Sequence, residues 1–176
     1  MNTLVYFAYG SNMLTQRLQA RCKSARAKGM ASVTGYRLAF SKRSTDGSGK
    51  ATLVADPDGQ VIGAAFEIAA DDVKELDRIE GRGKGYERIE ELAALSYPDR
   101  QPITVTAYIA QDDFLDPALQ PYDWYRDLVL KGAEQQLLPD SYLATLRAIP
   151  ALADPDPMRP TRLEALAILA GLEPSR

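Results

Sequence analysis

The order of apolar and polar positions along the chain predicts short strands separated by polar turns. Stretches rich in β-branched and aromatic residues indicate strands at 4–7, 33–40, 51–56, 61–68 and 102–110. Polar, Gly-containing sequence predicts turns at 44–50 and 56–59. The stretch 86–97 also fits a helical period, but we interpret it as a strand because it would form a hairpin with the strand at 102–110.

A period near 3.6 residues predicts the helices. Val73, Leu76 and Ile79 fall on one face of a helix over 71–80, for which Asp71 is the expected N-cap. Similar spacing predicts helices at 122–137, at 140–149 and, close behind the first strand, around Met13, Leu14 and Leu18. Mixed strands with helices between and after them indicate an α+β fold rather than a regular βαβ series.

Residues 151–176 form a proline-rich crossing followed by one more predicted helix. Thr161 and Glu164 fit a capping box, and the expected apolar stripe is Leu163, Leu166, Ala167 and Ala170. An isolated helix this short is marginal in water, so it must pack against something. We therefore divide the chain into a domain at 1–150 and a C-terminal extension at 151–176, packed on the same domain. We expect the extension to be structural, with a lid over a pocket as the alternative.

Composition removes several kinds of function. The 176 residues, 45% hydrophobic and 26% charged, suit one soluble globular domain. A net charge of −3 gives no general attraction to nucleic acid or to an anionic membrane, and no apolar run is long enough to span a bilayer. The chain has no His and one Cys, Cys22, which excludes a Ser-His-Asp triad, a His-ligated zinc and an internal disulfide. We expect a cytoplasmic protein without a metal, whose proton transfers fall to carboxylates, Lys or Tyr.

Basic residues gather early in the chain, at Arg17, Arg21, Lys23, Arg26 and Lys28. Charge runs of this kind usually lie on a solvated face. We therefore assign the cluster to exposed surface without a function, with anion binding as the alternative.

The segment YFAYGSNM at 6–13 interrupts an apolar strand with Gly10, Ser11 and Asn12 before a helical period begins. A strand that turns directly into a helix exposes backbone N–H groups, which bind anionic or polarised oxygens. The segment therefore indicates either a ligand-binding turn or a simple change of direction.

A second unusual segment, LDRIEGRGKGYE at 76–87, ends a helix at Glu80 and continues with alternate glycines. Glycine ends helices and also lets backbone or ligand approach closely. A carboxylate is disfavoured beside the negative end of a helix dipole. This placement indicates a functional role for Glu80. The alternative is that Glu80 is simply an exposed residue at a helix end.

Taken together, YFAYGSNML and LDRIEGRGKGYERIE resemble the gamma-glutamylcyclotransferase family. The resemblance continues through SGKATLVADPDGQVIGAAFEI and YRDLVLKGAEQQLLPDSYLATLRAI and covers the chain from about Leu4 to Pro150, leaving 151–176 without a counterpart. It implies a small mixed β-barrel flanked by helices. It also implies a cofactor-independent enzyme that converts a small-molecule γ-glutamyl substrate into 5-oxoproline and a free amine.

The resemblance implies roles for particular residues. Glu80 would be the catalytic carboxylate, Tyr125 a pocket hydroxyl, and the glutamyl pocket would be lined by Tyr6, Phe7, Ala8, Tyr9, Gly10 and Ser11. The chemistry suits these residues, because the substrate's own α-amine attacks its γ-carbonyl and no protein nucleophile is needed. Glu80 would act as base and then as acid, and N–H groups of the turn from Tyr9 to Asn12 would stabilise the oxyanion.

Alternatives stay open for several of these residues. Tyr6 and Phe7 point to opposite faces of a regular strand, so one of them belongs to the core. Asn12 is equally an N-cap of the following helix, and Tyr125 an ordinary tyrosine of an amphipathic helix.

Two other functions also stay open. One is a hydrolase that yields glutamate. The other is a γ-glutamyl-binding module without catalysis, which the presence of Glu80 disfavours. The form YGSN speaks against the glutathione-specific branch of the family. The amine half of the substrate, and the choice between monomer and homodimer, are left undetermined.

Overall fold

The computed structural model describes residues 2–172, which form five strands and five α-helices. The strands are β1 (Thr3–Ala8), β2 (Arg26–Arg43), β3 (Gly49–Ala69), β4 (Tyr86–Ser96) and β5 (Pro102–Ala110). The helices are α1 (Thr15–Arg21), α2 (Ala70–Glu80), α3 (Asp123–Gln135), α4 (Asp140–Arg147) and α5 (Pro160–Ala170). None of the helices in this range is both long enough and apolar enough to cross a membrane.

The five strands close into a barrel in the order β1-β3-β2-β4-β5. Neighbouring strands are antiparallel except β1 and β5, which meet in parallel at Tyr6 and Thr106. Barrel and helices share one core, whose largest fully buried side chains include Phe7, Phe66, Met13, Leu14, Leu18 and Ile68. The predicted α+β fold, a small mixed barrel with flanking helices, is confirmed.

Strand β3 is continuous where the sequence predicts two strands and a turn. Both of its halves pair with β2, Ala55 opposite Tyr36 and Gln60 opposite Thr34. The segment 56–59 therefore bulges out of the ladder opposite Gly35. Residues 56–59 form only a local turn, in which the N–H of Asp58 donates to Asp56 Oδ1 at 3.2 Å. This turn does not reverse the chain.

Most other predicted elements are confirmed with shifts at their ends, the largest at β2, which starts at Arg26 and not at residue 33. Strands β4 and β5 form the predicted antiparallel hairpin, and α3 and α4 lie inside the predicted ranges. Asp71 is not the N-cap of α2, because the helix starts at Ala70 without a side-chain cap. The neighbouring Asp72 instead accepts hydrogen bonds from the N–H and hydroxyl of Ser24, at 2.9 and 2.6 Å.

Helix α3 fixes the turn that follows β1. A Cβ at Gly132 would lie 2.5 Å from the backbone nitrogen of Leu14 and 2.9 Å from the Met13 Cβ, so only glycine permits this approach. Gln136 Nε2, just beyond the helix, donates to the Met13 carbonyl at 3.1 Å. The turn is thus positioned by packing from outside the barrel.

The chain after α4 crosses back over α3 and is tied to it by Asp154. Trp124 Nε1 donates to Asp154 Oδ2 at 2.9 Å. Arg159 donates to the same carboxylate through Nε at 2.8 Å and through Nη2 at 3.1 Å. The Asp154 side chain has no exposed surface, whereas the Arg159 side chain is 21% exposed.

Helix α5 differs from the prediction in its start and in its buried face. It begins at Pro160 without a side-chain cap, so the predicted capping box of Thr161 and Glu164 is wrong. Ala165 is fully buried, whereas Leu163 and Leu166 are 42% and 38% exposed. The predicted stripe is wrong because the helix packs on the core through Ala165, Ile168 and Leu169 instead.

Asp154→Asn should lower the melting temperature at neutral pH. Arg159 holds the pKa of Asp154 at about 2, below its ordinary value of 3.8, so the folded state favours the ionised carboxylate. The resulting stability is present above the unfolded pKa and is lost as the pH falls through the folded pKa. A lost charge-assisted hydrogen bond of about 1.5–3 kcal/mol predicts a shift of several degrees.

Thermal melts at decreasing pH test this prediction. The gap between the wild type and Asp154→Asn should narrow as the pH falls from 3.8 towards about 2. The exposed Asp113→Asn is the matched control and should melt like the wild type. A gap that stays constant into acid would contradict the assignment.

Candidate active site

A cavity of about 460 Å³ lies between the barrel, the turn after β1 and the C-terminal extension. It brings together seven of the predicted site residues: Tyr6, Tyr9, Gly10, Ser11, Asn12, Glu80 and Tyr125. These residues come from β1, the following turn, the end of α2 and the start of α3. The fold therefore brings segments that are distant in the sequence together at one site.

Phe7 and Ala8 do not line this cavity, in contrast to the prediction. Phe7 is fully buried, and its ring lies where a Cβ at Gly63 would come within 2.9 Å. Ala8 pairs with Ala64 in the β1–β3 ladder. Both residues serve the core and the sheet, so Tyr6 is the pocket member of the Tyr6–Phe7 pair.

Glu80 is held in the cavity wall by Asn12 and Arg21. Asn12 Nδ2 donates to Glu80 Oε1 at 2.9 Å and to the Tyr6 hydroxyl at 3.0 Å. Arg21 Nη1 donates to the same Glu80 oxygen at 3.2 Å and to Asn12 Oδ1 at 3.1 Å. No hydrogen bond within residues 2–172 uses Glu80 Oε2, which leaves that oxygen for a ligand.

This network explains how a carboxylate is kept at the C-terminal end of α2. Gly81 adopts the left-handed conformation, with φ of 67°, so the helix ends directly after Glu80. Arg21, in the last turn of α1, supplies the positive charge that the dipole of α2 does not. Asn12 is not an N-cap, because α1 starts at Thr15 without a side-chain cap.

The turn itself differs from the predicted strand-to-helix junction. Ser11–Met13 is a short 3-10 turn, and α1 begins only at Thr15. The N–H groups of Met13 and Leu14 are used by the carbonyls of Gly10 and Ser11, at 3.0 and 3.3 Å. Within the described chain, the N–H groups of Ser11 and Asn12 have no backbone acceptor. These donors belong to the turn and not to a helix terminus.

Tyrosines form much of the remaining wall. Tyr9 donates to the Tyr108 carbonyl, and Tyr86 donates to the Ala51 carbonyl at 2.7 Å. Tyr125 is an acceptor for the Ala51 N–H at 3.2 Å. Burial raises the pKa of Tyr6, Tyr9, Tyr86 and Tyr125, so their hydroxyls remain protonated near neutral pH. Tyr86, which is not among the predicted site residues, also lines the cavity.

Arg17 is the least expected member of the cavity wall. It is only 5% exposed, and its Nε donates to Ser11 Oγ at 3.0 Å. Its Nη1 is buried and has no hydrogen-bond partner in the part of the chain that the structure describes. Burial lowers the pKa of Arg17 to about 10, which leaves the side chain charged at neutral pH. A buried charge without a partner is strongly disfavoured unless a ligand neutralises it.

The assignment of the whole basic cluster to exposed surface is therefore wrong. Lys23, Arg26 and Lys28 are exposed as predicted, but Arg17 and Arg21 line the cavity. The two arginines are four residues apart in α1, which places them on the same face. That spacing, directly behind the YGSN turn, is the signal that would have identified them.

The other part of the wall carries Lys42 and Lys50 together with the C-terminal extension. Lys50 Nζ lies 4.7 Å from the ring centroids of both Trp124 and Tyr125 and donates to Asp46 at 2.7 Å. Arg159, Pro160 and Thr161 complete this side. The extension thus forms part of the cavity wall.

The backbone conformation at Gly10 does not itself require glycine. Its φ is −116°, outside the left-handed region. A Cβ there would lie 3.0 Å from the Ala51 Cβ and 3.3 Å from the Tyr125 hydroxyl. Glycine is therefore favoured by the neighbouring wall of the cavity.

Cys22 is fully buried, and burial raises the pKa of its thiol to about 12, so it is no nucleophile. Within residues 2–172, no three His, Cys, Asp or Glu side chains are grouped as metal ligands.

Comparisons with known proteins find one family. The family model for gamma-glutamyl cyclotransferase, AIG2-like proteins matches residues 6–127. The gamma-glutamylcyclotransferase of Mus musculus is 30% identical over 152 residues, covering 84% of this chain and 79% of the mouse protein. That of Homo sapiens is 28% identical with the same coverage.

A solved structure of a gamma-glutamyl cyclotransferase superimposes with a TM-score of 0.85 at 26% sequence identity. It covers 97% of this chain and 100% of its own. The match therefore includes most of the C-terminal extension, for which the sequence suggested no counterpart.

Proposed function

The chain belongs to the gamma-glutamyl cyclotransferase, AIG2-like family and is a gamma-glutamylcyclotransferase-type enzyme; we propose that it releases 5-oxoproline from its substrate, with Glu80 as general acid and base. The observation that carries this proposal is the free Oε2 of Glu80 in the cavity, while Oε1 is held by Asn12 and Arg21. A carboxylate oriented through one oxygen presents the other at a defined position.

The proton balance of the reaction suits one such carboxylate. Cyclisation takes two protons from the substrate's α-ammonium, and the departing amine gains two as it leaves as an ammonium. Glu80 accepts a proton from the α-nitrogen, which then attacks the γ-carbonyl. It returns the proton to the departing nitrogen as the C–N bond breaks, and a second transfer follows the same route.

The tetrahedral intermediate requires donors for its oxyanion. The N–H groups of Ser11 and Asn12 and the buried hydroxyl of Tyr125 are available beside the cavity. They are preorganised, because Gly132 and Gln136 hold the turn from behind. We assign the oxyanion to this group.

Arg17 supplies a site for the α-carboxylate of the glutamyl half. Its guanidinium lies against Ser11 and has an unpaired Nη1 in a buried setting. Guanidinium matches a carboxylate in charge and in donor geometry. The glutamyl half would then span from Arg17 to Glu80, lined by Tyr6, Tyr9, Gly10 and Ser11.

We also propose a cytoplasmic location. It is supported by the single cysteine, since Cys22 is buried and unreactive and the fold does not depend on a disulfide.

Glu80→Gln should remove turnover while the cavity persists. We expect a loss of about 10²–10⁴-fold in kcat, because the amide cannot relay protons. The measurement is 5-oxoproline release from a panel of γ-glutamyl dipeptides. Glu75→Gln, an exposed residue of the same helix, is the matched control and should keep wild-type turnover. Undiminished turnover by Glu80→Gln, or glutamate as the wild-type product, would reject the proposal.

Arg17→Met should raise KM for a γ-glutamyl substrate by about tenfold to a hundredfold, the scale of a lost charged hydrogen bond. The substitution should not change KM for an analogue whose α-carboxylate is replaced by a carboxamide, because the neutral carboxamide forms no ion pair with Arg17. An equal loss on both substrates would show a structural role for Arg17 instead.

A further inference from the structure

The cavity wall contains more cations than carboxylates. Most of the cations already have partners: Arg21 pairs with Glu80 at 3.2 Å, Lys50 with Asp46 at 2.7 Å, and Arg159 with Asp154 at 2.8 Å. Arg17, which we assign to the glutamyl α-carboxylate, and Lys42 remain. Among residues 2–172, no carboxylate lies within 4.0 Å of the Lys42 ammonium.

Lys42 is held in place without being neutralised. It lies near the end of β2, half-buried, with Nζ 4.9 Å from the centroid of the Tyr86 ring. A Cβ at Gly85 would come within 2.9 Å of Lys42 Cε, so the glycine leaves room for the lysine stem. Burial lowers the pKa of Lys42, and the negative charges of Glu80 and Asp46 act against that shift without offsetting it.

The structural alternative is a cation–π contact that serves packing only. Such a contact contributes little at a half-exposed site, and the partly buried ammonium still lacks an anion. The lysine also lines the cavity that contains Glu80, and the Glu80 carboxylate is close enough to influence its pKa. Lys42 and Glu80 therefore face the same cavity.

We propose that Lys42 is a specificity residue that binds a carboxylate on the amine half of the substrate. The inference rests on the proposed function, because it takes the glutamyl half to lie between Arg17 and Glu80. In a γ-glutamyl amino acid, the second carboxylate is two bonds from the departing nitrogen. It thus falls close to the group that protonates that nitrogen. An amine half that is neutral or cationic leaves Lys42 unpaired.

A pair of substrates of equal shape tests this assignment. Wild-type protein should prefer γ-glutamyl-alanine over γ-glutamyl-alaninamide by about tenfold or more in kcat/KM. Lys42→Met should remove most of this preference, through a loss on the acid and not on the amide. Lys42→Glu should reverse it in favour of the amide. Lys74→Met, an exposed lysine of α2, is the matched control and should keep the wild-type preference.

The same preference can be measured without turnover. Calorimetry with Glu80→Gln protein should show tighter binding of the acid than of the amide, and Lys42→Met in that background should equalise the two. Unchanged preference in Lys42→Met, or equal use of both substrates by the wild type, would overturn the assignment. A protein that binds the two dipeptides with this preference but releases no 5-oxoproline would contradict the proposed function and leave the role of Lys42 intact.

Discussion

The rest of the site depends on two hydrogen bonds to one oxygen, Glu80 Oε1, which accepts from Asn12 and from Arg21. A carboxylate in the last turn of a helix faces an unfavourable dipole, and in this protein it is also largely withdrawn from water. Asn12 and Arg21 offset both effects by donating to the same oxygen. Because Asn12 belongs to the turn after β1 and Arg21 to the end of α1, the position of Glu80 follows from how that turn is packed. The packing in turn requires Gly132, at which α3 touches the turn without a side chain between them.

The two proposals assign one region of the cavity to the reaction and another to substrate choice. The proposed function assigns roles around Glu80 and the turn to Arg17, Arg21, the Tyr125 hydroxyl and the backbone N–H groups of Ser11 and Asn12. The other part of the wall contains Lys42, Lys50 and residues of the extension. This second region is where the amine half would lie, so changes there would alter preference more than chemistry.

A feature of the fold or the site could be predicted from the sequence only where its residues form a recognisable local pattern. Glu80 was predicted as a site residue because its segment resembles a known family and because a carboxylate followed by Gly81 is anomalous at a helix end. The hairpin of β4 and β5 was predicted because a short turn joins 86–97 to a clear strand. Arg17 was missed because charge runs usually lie on a solvated face, although its four-residue spacing from Arg21 places both arginines on one face of α1. The bulge at 56–59 was misassigned for a related reason: its residues do form a local turn, and only pairing with β2 shows that the strand continues.

The central claim is that the substrate's own amine, and not water, attacks the γ-carbonyl. Turnover of a γ-glutamyl dipeptide in water enriched in oxygen-18, followed by mass spectrometry of the products, tests it directly. Intramolecular attack predicts 5-oxoproline whose γ-derived carbonyl carries no label from water. Glutamate labelled in its γ-carboxylate would mean that water attacks the substrate, and the role assigned to Glu80 would be wrong.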